Sequence, residues 1–123
     1  MPRTPKTIAE LSTISPFDRV SERDLRPLSP HVDRLRLPAG AVIAREGEQA
    51  REFVAVLSGE VSLLRSGDPF ASIGPGSQIG GDAVLRHGSH DATSRAESEV
   101  EVLVLNGPAF RWASQVLFHD TAA

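Results

Sequence analysis

The chain contains no cysteine. That excludes a disulfide, a thiolate zinc site and a cysteine nucleophile, and it fits a reducing compartment. It contains no apolar run near the roughly 18 residues of a membrane span, and no apolar core of a secretory signal follows Met1. It has no basic block either. The 13 Lys and Arg residues are scattered among 16 Asp and Glu, for a formal charge of −3. A phosphate-backbone surface needs clustered cations, so nucleic acid is not an expected partner. The absences together predict a cytoplasmic protein that binds neither nucleic acid nor membrane.

What is present describes one folded domain. With 123 residues, 40% of them hydrophobic and 24% charged, the chain can bury a core without staples. Residues 1–14 mix Pro2, Pro5, Arg3 and Lys6 with threonines ahead of any periodic pattern, and they read as a mobile N-terminal tail. Ser15-Pro16-Phe17 reads as a helix entry. Ser21-Glu22-Arg23-Asp24 resembles a capping box, with Leu25 and Leu28 packing the short helix onto the body. Pro27 and Pro30 stop it.

From His31 the period changes to two. Val32, Leu35 and Leu37 alternate with charged residues, and a second short strand follows over 41–45. The continuous apolar run over 53–57 suits a strand covered on both faces. Ser58-Gly59-Glu60 connects it to a strand over 61–65, and Ser66-Gly67-Asp68-Pro69 closes the next hairpin onto 70–73. Further strands are predicted at Ile79-Gly80, over 91–97 and over 99–105. Turn signals at such short spacing indicate an all-β sandwich or barrel. Asn106-Gly107-Pro108 opens a last helix. On it Phe110, Ala113 and Leu117 share one face, while Trp112 and Val116 form a neighbouring stripe. The barrel would bury the first face. The stripe is then open to a second copy of the chain or an effector, unless the tail over 119–123 folds back on it.

The stretch 74–96 carries the functional signal. Gly74-Pro75-Gly76 turns the chain, and Gly80-Gly81 precedes a short helix-forming segment. Glycines so placed either serve as a plain turn or let backbone N–H groups converge on an anion. With the surrounding framework, Ala39-Gly40, Glu46-Gly47, Phe53-Val54 and Leu57-Ser58-Gly59-Glu60-Val61, the chain resembles the cyclic nucleotide-binding domain family. The resemblance runs from about Phe17 to Val116. It implies a mainly β fold: an eight-stranded antiparallel jelly roll (a double-stranded β-helix) with short N-terminal and C-terminal helices, over residues 15–118. It also implies a regulatory domain in which ligand in the phosphate-binding cassette reorients the C-terminal helix.

That cassette is degenerate here. The family pattern is aromatic-Gly-Glu-aliphatic-Ala-Leu, a loop, then Pro-Arg-small-Ala-Thr. This chain reads Ile79-Gly80-Gly81-Asp82-Ala83-Val84-Leu85, then Ser89-His90-Asp91-Ala92-Thr93. By the resemblance, Gly81 replaces the glutamate that holds the ribose hydroxyl, and His90 replaces the arginine that pairs with the cyclic phosphate. Arginine is a permanently charged fork, whereas a histidine is an ordinary donor largely neutral at pH 7. Charge-assisted bonds contribute about 1.5–3 kcal/mol each, so their loss predicts affinity lowered by roughly 10²-fold or more. Asp91 would repel an anion, and Asp82 can occupy the N–H groups that open the cassette helix.

The expected ligand-contacting residues are therefore Ile79, Gly80, Gly81, Asp82, Ala83, His90, Asp91, Ala92 and Thr93. Arg95 either reaches an anion or points outward, and Trp112 either lids a purine or packs on the barrel. The expected function is a non-catalytic regulatory domain with weak or absent cyclic AMP binding, and cyclic AMP or cyclic GMP as the ligand class the family implies. Expected partners are a small molecule, and a protein effector or a weak homodimer through the last helix. A ligand-free interaction module on the same fold is the alternative. More distant is a cupin-type metal enzyme using His87, His90 and Asp91, which lacks the His-x-His pattern of that class.

Overall fold

The computed structural model describes residues 6–118. Eight strands form two four-stranded sheets in which every pair is antiparallel. In chain order they are β1 (Val32–Leu37), β2 (Val42–Ala44), β3 (Glu52–Ser58), β4 (Val61–Arg65), β5 (Asp68–Ile73), β6 (Gln78–Ile79), β7 (Thr93–Ala96) and β8 (Val100–Asn106). One sheet runs β1-β8-β3-β6 and the other β2-β7-β4-β5. Among the described residues four α-helices accompany them: α1 (Lys6–Leu11), α2 (Glu22–Leu25), α3 (Gly81–Leu85) and α4 (Gly107–Val116). This is the jelly roll that the strand pattern and the resemblance predict.

β3 shows why its apolar run is continuous. Phe53 and Ala55 face the helices, where they join Ile8, Leu11, Ile14, Phe17, Leu25 and Phe110. Val54 and Val56 face the opposite sheet, with Val61, Ile79, Ala96, Val100 and Val102. Side chains alternate across a strand, so a strand between two cores needs apolar residues at every position. Four of the five phenylalanines (Phe17, Phe53, Phe110 and Phe118) pack edge-on or stacked within the helix-side core. The fifth, Phe70, lies elsewhere and is 49% exposed.

Two expectations need correction. The segment over 7–14 is not a tail, because it contains most of α1 and buries Ile8, Leu11 and Ile14 completely or nearly so. Ile8 and Leu11, three apart, share one face of the helix and Ile14 follows beyond its end, and the core supplies the contacts that a six-residue helix lacks alone. Residues 1–5 and the expected tail over 119–123 lie outside the described residues. The second correction concerns the β4–β5 hairpin, whose turn is only Ser66-Gly67, both with positive φ. Asp68 and Pro69 already pair with Arg65 and Leu64. Proline is accommodated there because β5 is an edge strand.

α1 is also held by charge. Arg34 on β1 forms ion pairs with Glu10 of α1 and, at 3.0 Å, with Glu101 of β8. The two carboxylates raise the guanidinium above its already strongly basic ordinary value. That contribution is complete below the ordinary value and fades only in strong alkali, so it does not vary near neutrality. Arg34→Met should cost about 1 kcal/mol, given that all three side chains are partly exposed. Urea denaturation in low salt and in about 1 M salt checks this, because screening should shrink the difference between variant and wild type.

Candidate functional site

The predicted cassette folds as one unit. Pro75 and Gly76 occupy a turn closed by the Ser77 N–H donating to the Gly74 carbonyl at 3.1 Å, with Gly76 at φ +93°. Gly80 at φ +90° starts α3. A Cβ there would lie 2.6 Å from the Glu52 carbonyl and 3.3 Å from His90 Cε1, so only glycine fits. α3 ends in a Schellman arrangement. The Gly88 N–H reaches the Ala83 carbonyl at 2.8 Å and the His87 N–H reaches the Val84 carbonyl at 3.2 Å, with His87 left-handed at φ +54°. His87 thus terminates a helix. Among the described residues no three His, Asp or Glu side chains form a metal-holding group.

The loop after α3 is pinned to the turn before β3. The His90 N–H donates to the Glu48 carbonyl at 2.9 Å, and its own carbonyl accepts from Gly47 at 2.8 Å. The loop and α3 enclose a cavity of about 540 Å³ against the β4–β5 hairpin. Of the nine predicted residues, Ile79, Gly80, Gly81, Asp82, Ala83, His90, Asp91 and Ala92 line it. Thr93 does not. Its hydroxyl instead accepts from the Glu46 N–H at 3.0 Å and braces the neighbouring turn. Arg95 is exposed on the outer face of β7, whose inward residues are Ser94 and Ala96. The outward alternative for Arg95 therefore holds.

Gly80, at the N-cap of α3, has no side chain to occupy the opening N–H groups, and Asp82 forms no bond to them. The Gln78 amide does so instead: its Oε1 accepts from the Gly81 N–H at 3.0 Å. One N–H of the cassette is thus already taken, by a residue that sequence reasoning missed. Arg65, Phe70, Arg86 and Ser94 were missed too, and all line the cavity. The period-two pattern of β4 puts Arg65 on the face of Leu63, which was the available signal.

Ser94 is unusual. It is 1% exposed, and its hydroxyl has no hydrogen-bond partner. A buried unmade hydroxyl costs about 1–3 kcal/mol. Ser94→Ala should therefore stabilise the ligand-free protein, by roughly 1 kcal/mol in chemical denaturation. A destabilised variant would mean that the hydroxyl has a partner in solution.

α4 carries the expected division of faces. Its Asn106 cap accepts from the Ala109 N–H at 2.8 Å. Phe110 and Ala113 are buried beside Ala83 and Val84 of α3, with Leu117 packed against them. Phe110 therefore belongs to the buried face and is unavailable to a partner. Trp112 and Val116 remain 41% and 50% exposed. Trp112 lines a separate apolar groove with Leu28, His31 and Pro108, on neither the cavity nor the barrel interior.

Comparison with known proteins agrees with this architecture. The family described as cyclic nucleotide-binding domain matches residues 34–115. A cAMP-dependent protein kinase regulatory subunit from Emericella nidulans is 30% identical over 103 residues, which span 82% of this chain and 24% of that protein. The chain thus spans about a quarter of that relative's length. Among solved structures, a cyclic nucleotide-binding-like protein from Brucella abortus superposes with TM-score 0.76 at 27% identity, covering 90% of this chain and 99% of that one. The regulatory subunit of a cAMP-independent protein kinase A from Trypanosoma brucei, in a mutant form bound to cAMP, gives TM-score 0.75 at 20% identity, covering 89% and 41%. Jelly roll, cassette and sequence match converge, and the chain belongs to the cyclic nucleotide-binding domain family.

Proposed function

We propose that this chain is a non-catalytic sensory domain whose cavity takes a nucleotide-class small molecule, with cyclic AMP and cyclic GMP bound weakly or not at all. The observation that carries the reading is the Gln78 amide seated on the Gly81 N–H, with Gly81 and His90 at the positions where the resemblance places the ligand's two anchors. The fold itself does not entail cyclic AMP control, since it also occurs in the regulatory subunit of a protein kinase A described as cAMP-independent, whose cAMP-bound form is a mutant. The non-catalytic part rests on the regulatory character of the curated relative. Calorimetric titration with cyclic AMP and cyclic GMP tests the reading. Dissociation constants weaker than about 10 μM are expected, and a sub-micromolar value would overturn it.

A route for output follows from packing. Ala83 both lines the cavity and belongs to the core that holds Phe110 and Ala113 of α4. Ligand that shifts α3 would press on α4, and closely packed interiors transmit such displacements. The exposed Trp112 and Val116 favour a second element of the reading, contact of α4 with an effector or a second copy. The stripe is small, so self-association should be weak. Sedimentation should show concentration-dependent dimers that Trp112→Ala with Val116→Asp abolishes. A strict monomer at high concentration would rule out the second copy.

A further inference from the structure

We infer that the cavity holds its anion at the mouth, between Arg65 and Arg86, and that its ligand is a nucleoside monophosphate with a free terminal phosphate. The inference rests on the reading of the cavity as a nucleotide-class site. Two guanidinium groups bond the carbonyls of the residues before and after His90. Arg65 Nε donates to the Asp91 carbonyl at 3.2 Å, and its guanidinium carbon lies 4.3 Å from the centroid of the Phe70 ring. Arg86 Nη2 donates to the Ser89 carbonyl at 3.4 Å. The loop that they grip is itself tied down through both backbone groups of His90. Each guanidinium commits one N–H to this anchorage and keeps its other donors, and both groups line the cavity.

Charge placement decides which anion fits. Arg65 and Arg86 are exposed, so they serve the mouth of the cavity rather than its floor. Asp82 and Asp91 also line it and oppose any anion that neither guanidinium reaches. A phosphate diester has one charge and two free oxygens. A terminal phosphate has three oxygens and a charge near −2, and so uses more of the donors that two forks present. Further in, the unpartnered Ser94 hydroxyl awaits a polar group, and the walls beside it are apolar, from Leu63, Ile73 and Ile79. A sugar or base edge supplies that group, and a volume of about 540 Å³ accommodates a nucleotide.

The test is calorimetric titration of the whole chain with AMP, cyclic AMP and adenosine at low salt. AMP should bind at least about fivefold more tightly than cyclic AMP. Arg65→Gln with Arg86→Gln should weaken AMP at least about tenfold while leaving adenosine within about twofold, with thermal melting confirming the fold. Each single variant should give a partial loss. Cyclic AMP binding more tightly than AMP, or AMP indifferent to both arginines, would overturn the inference and leave the nucleotide reading of the cavity standing. Failure of all three compounds to bind would overturn both.

Discussion

Gly81→Glu, His90→Arg and Asp91→Ser introduced together should raise cyclic AMP affinity at least about tenfold, measured by calorimetry on variant and wild type. Each change has a structural consequence. Gly81 has no left-handed φ, so a side chain is tolerated by its backbone. Its Cβ would meet Gln78 Oε1 at 2.9 Å, the far end of a flexible side chain that can swing away. That movement also frees the Gly81 N–H now held by Gln78. The new carboxylate can then accept from a sugar hydroxyl. At position 90, arginine restores a permanent charge with paired donors. Arg65 and Arg86 already grip the adjacent carbonyls, and their repulsion holds the gain below what two charge-assisted bonds would supply alone. Asp91→Ser removes a carboxylate from the lining. An unchanged affinity in a folded triple variant would show that the cassette positions have been matched wrongly.

Gly59→Ala should be among the most damaging single substitutions in the framework. Gly59 connects β3 to β4 at φ +91°. An added Cβ would lie 2.4 Å from the Glu99 carbonyl oxygen and 2.9 Å from Val100 Cα. These are backbone atoms of the adjoining chain, and the Val100 side chain is fully buried between the sheets. Neither side can yield without moving β8. Gly40 provides the control: its φ is +90°, but nothing lies within 4 Å of its added Cβ. Gly40→Ala carries only the left-handed strain, roughly 1–2 kcal/mol, whereas Gly59→Ala adds the clash and should cost at least about 3 kcal/mol. Urea denaturation of the two variants checks the contrast. Equal costs would mean that the Glu99–Val100 backbone relaxes freely and that space is not what requires glycine at 59.

Several features of the chain were legible without coordinates because the interactions behind them are local. The Ser21 side chain accepting from the Asp24 N–H and the Gly-Pro-Gly turn both depend on residues within a few positions. The apolar run of β3 declared a doubly covered strand, since every position needed an apolar partner. The two stripes of α4 followed from helical spacing alone.

Other features depended on residues far apart in the chain. α1 is short, with no acidic residue in its first turn and no basic residue in its last, and it is Phe17, Leu25, Phe53 and Arg34 around it that make it part of the body. Thr93 matches the cassette pattern in sequence, yet its hydroxyl bonds Glu46, which lies 47 residues earlier. Arg65 and Arg86 belong to a strand end and a helix end that no local rule associates with a ligand. The closure of the jelly roll brings both onto the loop around His90, at carbonyls flanking one residue. The sequence by itself determined the family, the strand order along the chain and the loss of charge at His90. Only the tertiary structure decided where positive charge returns to the cavity, because a guanidinium's reach is set by which strands pair and not by its position in the chain.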